Sequence, residues 1–140
     1  LMSALASSAR EVPVWLAHGS DAAPMTRRAW QSCGAKLLQC KVTGGRIDPH
    51  ALLSALGKEG HTRVFCEGGG QLAASLLAAD LVDELVGFTA GIAVGAEGRP
   101  GIGAMGVDRL AEAPRFELEE VRAVGGDVLH RWRRSGAASG

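Results

Sequence analysis

The stretch Val64-Phe65-Cys66-Glu67-Gly68-Gly69-Gly70-Gln71-Leu72 decides how this chain of 140 residues is read. Three apolar residues in succession suit a strand covered on both faces, so a short strand is expected over residues 63–67. The glycines break it, and a helix is expected from about residue 71 to 79, with Leu72, Leu76 and Ala79 on its inward stripe. A strand that passes through glycine into a helix can hold phosphate. Glycine permits positive φ and close approach of a ligand to the backbone. The first N–H groups of the helix have no helical partner and lie at the positive end of its dipole. Gly69, Gly70 and Gln71 are the expected backbone donors, with the Ser75 hydroxyl about a turn further on. The spacing is neither the G-x-G-x-x-G dinucleotide pattern nor a Walker loop, which needs Gly-Lys-Ser/Thr. Taken alone, such a junction also occurs in proteins that bind nothing there.

Upstream, strands and helices alternate. A short helix over residues 3–9 is capped by Ser3. Residues 12–17 form an apolar run with Trp15, in which Pro13 suits only the opening. Residues 26–33 read as a helix and 36–42 as a strand stopped by Gly44-Gly45. Asp48 is an N-cap with Pro49 at the first helical position, and Leu52, Leu53 and Leu56 point inward before Gly57 or Gly60. Downstream, residues 85–92 are strand-like, and residues 95–106, with five glycines and Pro100, are a loop. Residues 116–124 and 128–134 are strands separated by Gly125-Gly126-Asp127, a hairpin signal. The expected class is therefore α/β: a mixed, mostly parallel sheet flanked by helices, with a C-terminal antiparallel hairpin, in a single domain over residues 1–140.

Composition removes several functions. The formal net charge is zero, so no footprint for nucleic acid or a membrane surface is expected. Arg131, Arg133 and Arg134 form a short basic cluster, read as a solvated strand end rather than an anion site. Cys33, Cys40 and Cys66 make no C-x-x-C pair, and His18, His50, His61 and His130 are scattered, so no metal is expected. Cys66 reads as a small hydrophobe. These thiols suit a reducing cytoplasm. No apolar run approaches bilayer length, and residues 1–9 lack the pattern of a signal peptide.

The polar residues near the turn carry different weights. A carboxylate beside a phosphate would be repelled, so Glu67 is expected to face a neutral polyol or base as a hydrogen-bond acceptor. The alternative is that it satisfies amides within the turn. Asp83-Glu84 read as a cap and exit into the next strand, and His18 as a surface or packing residue at the carboxyl edge of the sheet. No catalytic residue stands out.

Together, residues 64–72, Leu76 and Leu81-Val82-Asp83-Glu84-Leu85 resemble the reductase half of the bifunctional riboflavin-biosynthesis deaminase/reductases, the RibD C-terminal domain family. Gly126-Asp127-Val128-Leu129 looks like that family's last strand. The resemblance covers roughly residues 12–133, with its specific motif within 67–85. It implies a dihydrofolate-reductase-like fold and NADPH-dependent reduction of the ribosyl group of 5-amino-6-(5-phosphoribosylamino)uracil to the ribityl form. By position, Glu67 matches a substrate contact, and Gly69, Gly70, Gln71, Leu72, Ala73, Ala74 and Ser75 match the segment that holds the NADP phosphates.

Two rivals stay open: another dihydrofolate-reductase-like enzyme acting on a pterin or a different pyrimidine, and a non-catalytic dimerising module. The chain departs from the family at Ala90-Gly91, where Ala-Pro is usual. It also lacks the Lys-x-Ala-x-Ser-x-Asp-Gly opening and the zinc signature of the deaminase half. With Leu1 preceding Met2, it is expected to be an N-terminally truncated piece of a longer protein. Three charge-assisted donors would contribute roughly 4–9 kcal/mol. Immobilising a ligand costs about 4–15 kcal/mol. Weak cofactor binding with little or no turnover is expected of the chain alone, and uncovered sheet edges are expected to drive a homodimer or larger species.

Overall fold

Ser3 opens the first helix as expected, its Oγ accepting the Ala6 N–H at 3.2 Å, and α1 covers Ala4–Ser8. The computed structural model describes residues 3–136. They fall into two compact units, one ending at Val64 and the other beginning at Phe65.

In the first unit, β1 (Trp15–His18) and β2 (Lys36–Gln39) pair in parallel, Trp15 opposite Lys36 and His18 opposite Gln39. The helix between them, α2 (Pro24–Ser32), has Pro24 in its first turn, where a missing N–H costs nothing. The expected strand over 12–17 is shifted toward the C-terminus. Val12 donates its N–H to Ser8 O at 2.8 Å in the turn after α1, so it cannot join a ladder. The expected run over 36–42 is also cut. Val42–Thr43 (β3) turns back on Arg46–Ile47 (β4) through Gly44 and Gly45, at φ 60° and 74°. Positive φ at both positions gives the turn whose twist matches a hairpin. Asp48 caps α3 (Pro49–Lys58), its Oδ1 accepting the Ala51 N–H at 2.8 Å. Lys36 lies 4.3 Å from the centroid of the Trp15 ring and pairs with Glu59. Ala6, Ala9, Ala35, Leu38 and Cys40 are buried.

The second unit begins with α4 (Gly70–Ala78) and carries a three-stranded antiparallel sheet in the order β5-β7-β6. Its strands are β5 (Glu84–Thr89), β6 (Phe116–Val124) and β7 (Asp127–Arg134). The hairpin between β6 and β7 turns on Gly125 and Gly126, Gly125 at φ 60°. β5 stops at Thr89, short of the expected residue 92. Its last partner is Val128, and the next residue back on β7, Asp127, is already at the hairpin turn. Parallel pairing is confined to β1 and β2, and the other described ladders are antiparallel. The buried residues here are Ala74, Leu76, Leu77 and Leu129.

Two expectations around the glycine-rich stretch are corrected. No strand forms over 63–67, and residues 61–69 carry no regular element. The succession Val64-Phe65-Cys66 suits a covered strand, but no described strand pairs with it, and Phe65 is left 77% exposed. The buried stripe of α4 is also rotated from Leu72, Leu76 and Ala79 to Ala74, Leu76 and Leu77. Leu72 instead folds its side chain over the Gly68 backbone.

Candidate functional site

Gly69 is the N-cap of α4, at φ −63° and ψ 169°, and supplies no side chain to satisfy the helix start. Its carbonyl accepts the Leu72 N–H at 2.9 Å and the Ala73 N–H at 3.2 Å, which tightens the first turn. The N–H groups of Gly69, Gly70 and Gln71 have no acceptor among the described residues. They sit where a helix concentrates its unpaired donors and positive potential. A Cβ added to Gly69 would meet nothing within 4 Å, so the approach to these donors is open.

The remaining expected contacts are less available. The Ser75 hydroxyl, expected to face the ligand, donates instead to Gln71 O at 2.9 Å. A serine inside a helix commonly bonds back four residues in this way. Ala74 is buried, and the Leu72 and Ala73 amides are engaged with Gly69, so residues 72–75 offer no free donor toward the turn. Glu67 is exposed, and its carboxylate has no hydrogen-bond or ion-pair partner among the described residues. It does not satisfy amides within the turn.

A second backbone segment lies against this turn. Gly103 donates its N–H to Gly70 O at 2.8 Å. Pro100 O and Gly101 O stand where a Gly70 side chain would go, 2.7 and 3.2 Å from that Cβ position. The density of glycines over 95–106 is the one sequence signal that could have marked this close approach. A hollow of about 520 Å³ borders the same segment, lined by Leu77, Leu85, Ile102, Met105, Val107 and Phe116 among others. Its side chains are apolar and none is ionisable.

Groups elsewhere are accounted for structurally. Arg131 reaches Glu119 at 3.4 Å and Glu120 at 3.6 Å. Arg133 reaches Glu84 at 3.4 Å and also pairs with Glu119. Arg134 reaches Asp80 at 3.0 Å. The basic cluster is thus consumed by carboxylates and is no anion site. Glu84 opens β5, and Asp83 O accepts the Arg134 N–H at 2.9 Å, the exit role expected of that acidic pair. His18 Nδ1–H donates to Gly19 O at 2.8 Å, since the carbonyl can only accept. The three cysteines are free thiols, and burial pushes the Cys40 thiol up from its ordinary value. Among the described residues, no group of three His, Cys, Asp or Glu could hold a metal ion, and no helix is long and apolar enough to cross a membrane.

A family model described as the RibD C-terminal domain matches residues 6–130. The riboflavin biosynthesis protein RibD of Escherichia coli K12 is 40% identical over 87 residues, 61% of this chain and 24% of that protein. The 2,5-diamino-6-ribosylamino-4(3H)-pyrimidinone 5′-phosphate reductase of Methanothermobacter thermautotrophicus is 36% identical over 85 residues, 60% of this chain and 39% of that protein. In these alignments the chain spans a quarter to two fifths of the relatives' length. Among solved structures, Acinetobacter baumannii RibD superposes with a TM-score of 0.70 at 20% identity, over 86% of this chain and 37% of that one. A pyrimidine reductase-like protein from Corynebacterium diphtheriae also gives 0.70, at 16% identity, over 86% and 49%. These likenesses show a shared fold, in keeping with the expected α/β class.

Proposed function

The chain belongs to the RibD C-terminal domain family, and from that premise we propose that it carries the cofactor-binding turn of an NADPH-dependent reductase. The proposed reaction converts the ribosyl group of 5-amino-6-(5-phosphoribosylamino)uracil to the ribityl form. One observation carries this reading: the unpartnered N–H groups of Gly69, Gly70 and Gln71 at the start of α4, with open space in front of Gly69. Backbone donors without a side chain in front of them fit a dinucleotide phosphate. When bound, the reduced nicotinamide supplies the hydride, and the protein binds and orients the two reactants.

Glu67 is the substrate residue in this reading. Its free carboxylate precedes the turn and accepts hydrogen bonds from sugar or base hydroxyl and amino groups. The names of the relatives support this chemistry, one stating riboflavin biosynthesis and the other a pyrimidinone 5′-phosphate reductase. The second name favours one alternative substrate, 2,5-diamino-6-ribosylamino-4(3H)-pyrimidinone 5′-phosphate. Both candidates are amino-pyrimidines bearing a ribosyl phosphate. Three free thiols support a reducing compartment, the cytoplasm.

Titration with NADPH, followed through the backbone amide resonances, tests the site directly and reads even millimolar affinity. The largest shifts are expected at Gly69, Gly70 and Gln71. No shift at these three residues up to millimolar cofactor refutes the assignment. Titrating the two pyrimidines in the presence of NADP⁺ then ranks them as ligands. Glu67→Gln is expected to weaken the preferred pyrimidine by about tenfold, the scale of one charge-assisted hydrogen bond, and to leave NADPH affinity unchanged. Equal pyrimidine affinity in the variant removes Glu67 from the substrate site.

A further inference from the structure

We propose that residues 100–103 act as a strap that aims the phosphate-gripping turn, with Gly103 as a positioning residue for the cofactor. The inference rests on the assignment of the α4 start as the phosphate site.

One planar peptide links the strap to the phosphate-facing amide. Gly70 C=O and Gln71 N–H are the two ends of the same rigid trans unit and point in opposite directions. Gly103 N–H holds the oxygen end at 2.8 Å. Fixing that end fixes the direction of the other, and Gln71 N–H has no protein acceptor. A carbonyl that accepts a hydrogen bond also polarises its peptide, which makes the N–H a stronger donor. Gly103 therefore acts on an anion it does not itself contact.

The close approach requires glycine on both sides. A Cβ on Gly103 would lie 3.1 Å from Gly70 O, 3.3 Å from Gly70 C and 3.5 Å from Gln71 Cα. A Cβ on Gly70 would lie 2.7 Å from Pro100 O and 3.1 Å from Gly103 N. Both contacts are with backbone, which cannot rotate away as a side chain can. Pro100 adds stiffness, because its φ is fixed by the ring.

Three chains test this: wild type, Gly103→Ala, and an amide-to-ester replacement at position 103. The ester deletes only the N–H donor and adds no bulk, so it serves if the alanine variant fails to fold. Gly91→Ala is the control, since a Cβ there meets nothing within 4 Å. Inorganic pyrophosphate and NADPH are titrated into each, and the Gln71 amide resonance is followed. Both position-103 changes are expected to weaken the two ligands together by about tenfold, the effect of one misaimed charge-assisted donor. They should also displace the free Gln71 resonance, with the control at wild-type values. A purely structural role would lower thermal stability without a matched loss for both ligands. If wild type binds and the ester variant binds equally well, the strap is wrong and the phosphate site stands. If wild type binds neither ligand at millimolar concentration, the phosphate site fails and the strap with it.

Discussion

Gly69→Val is expected to reduce NADPH affinity by a hundredfold or more while the fold survives. The valine Cβ would project where nothing lies within 4 Å, and the backbone at φ −63° is ordinary for an L-residue, so no strain is introduced. The cost to the helix is about 1 kcal/mol, because valine is a poorer N-cap than glycine. The branched side chain would instead fill the approach to the Gly70 and Gln71 amides. Two charge-assisted hydrogen bonds contribute about 1.5–3 kcal/mol each, and each 1.4 kcal/mol is about a factor of ten. Calorimetric or amide-resonance titration measures the affinity, and circular dichroism checks the fold. Unchanged affinity in a folded variant places the phosphates elsewhere.

The second large effect concerns stability. Gly87 on β5 faces His130 on β7, its partner in the ladder. A Cβ on Gly87 would come within 2.1 Å of His130 Cε1. The ring could swing aside only by giving up two contacts. Trp132 Nε1–H donates to His130 Nδ1 at 2.8 Å, so in the neutral ring Nε2 carries the proton, and it faces Thr89 Oγ1 at 3.2 Å. Gly87→Ala is therefore expected to destabilise the protein by about 1–3 kcal/mol, the usual range for forcing extra volume into a packed contact. The thermal midpoint should fall by several degrees. Adding His130→Ala should recover most of the loss that overcrowding causes. A single variant as stable as wild type would mean that the ring has room to move.

What was legible in the sequence was what local chemistry decides. Ser3 and Asp48-Pro49 mark helix starts because an oxygen acceptor and a fixed φ act within one turn. Gly125-Gly126 marks the hairpin for a similar reason. The glycine turn with its free amides is equally local, since a helix start without a side-chain cap leaves donors exposed.

The misses have two causes: some depend on partners distant in sequence, and two on a carbonyl four residues back that competes for the same group. Val64-Phe65-Cys66 has the composition of a strand, but a strand exists only where a ladder meets it. Val12 was diverted by the Ser8 carbonyl, and β5 ended where β7 ran out. Ser75 had a choice between a ligand and its own helix, which spacing cannot decide. The contact between Gly103 and Gly70 joins residues far apart in the chain, and no periodicity records it.

The arginines of β7 bear on how a dinucleotide would arrive. Glu84, Glu119, Glu120 and Asp80 stand against Arg131, Arg133 and Arg134, so the most concentrated positive charge in the chain is cancelled at short range. Little field from this ladder then extends beyond a Debye length to draw a polyanion inward.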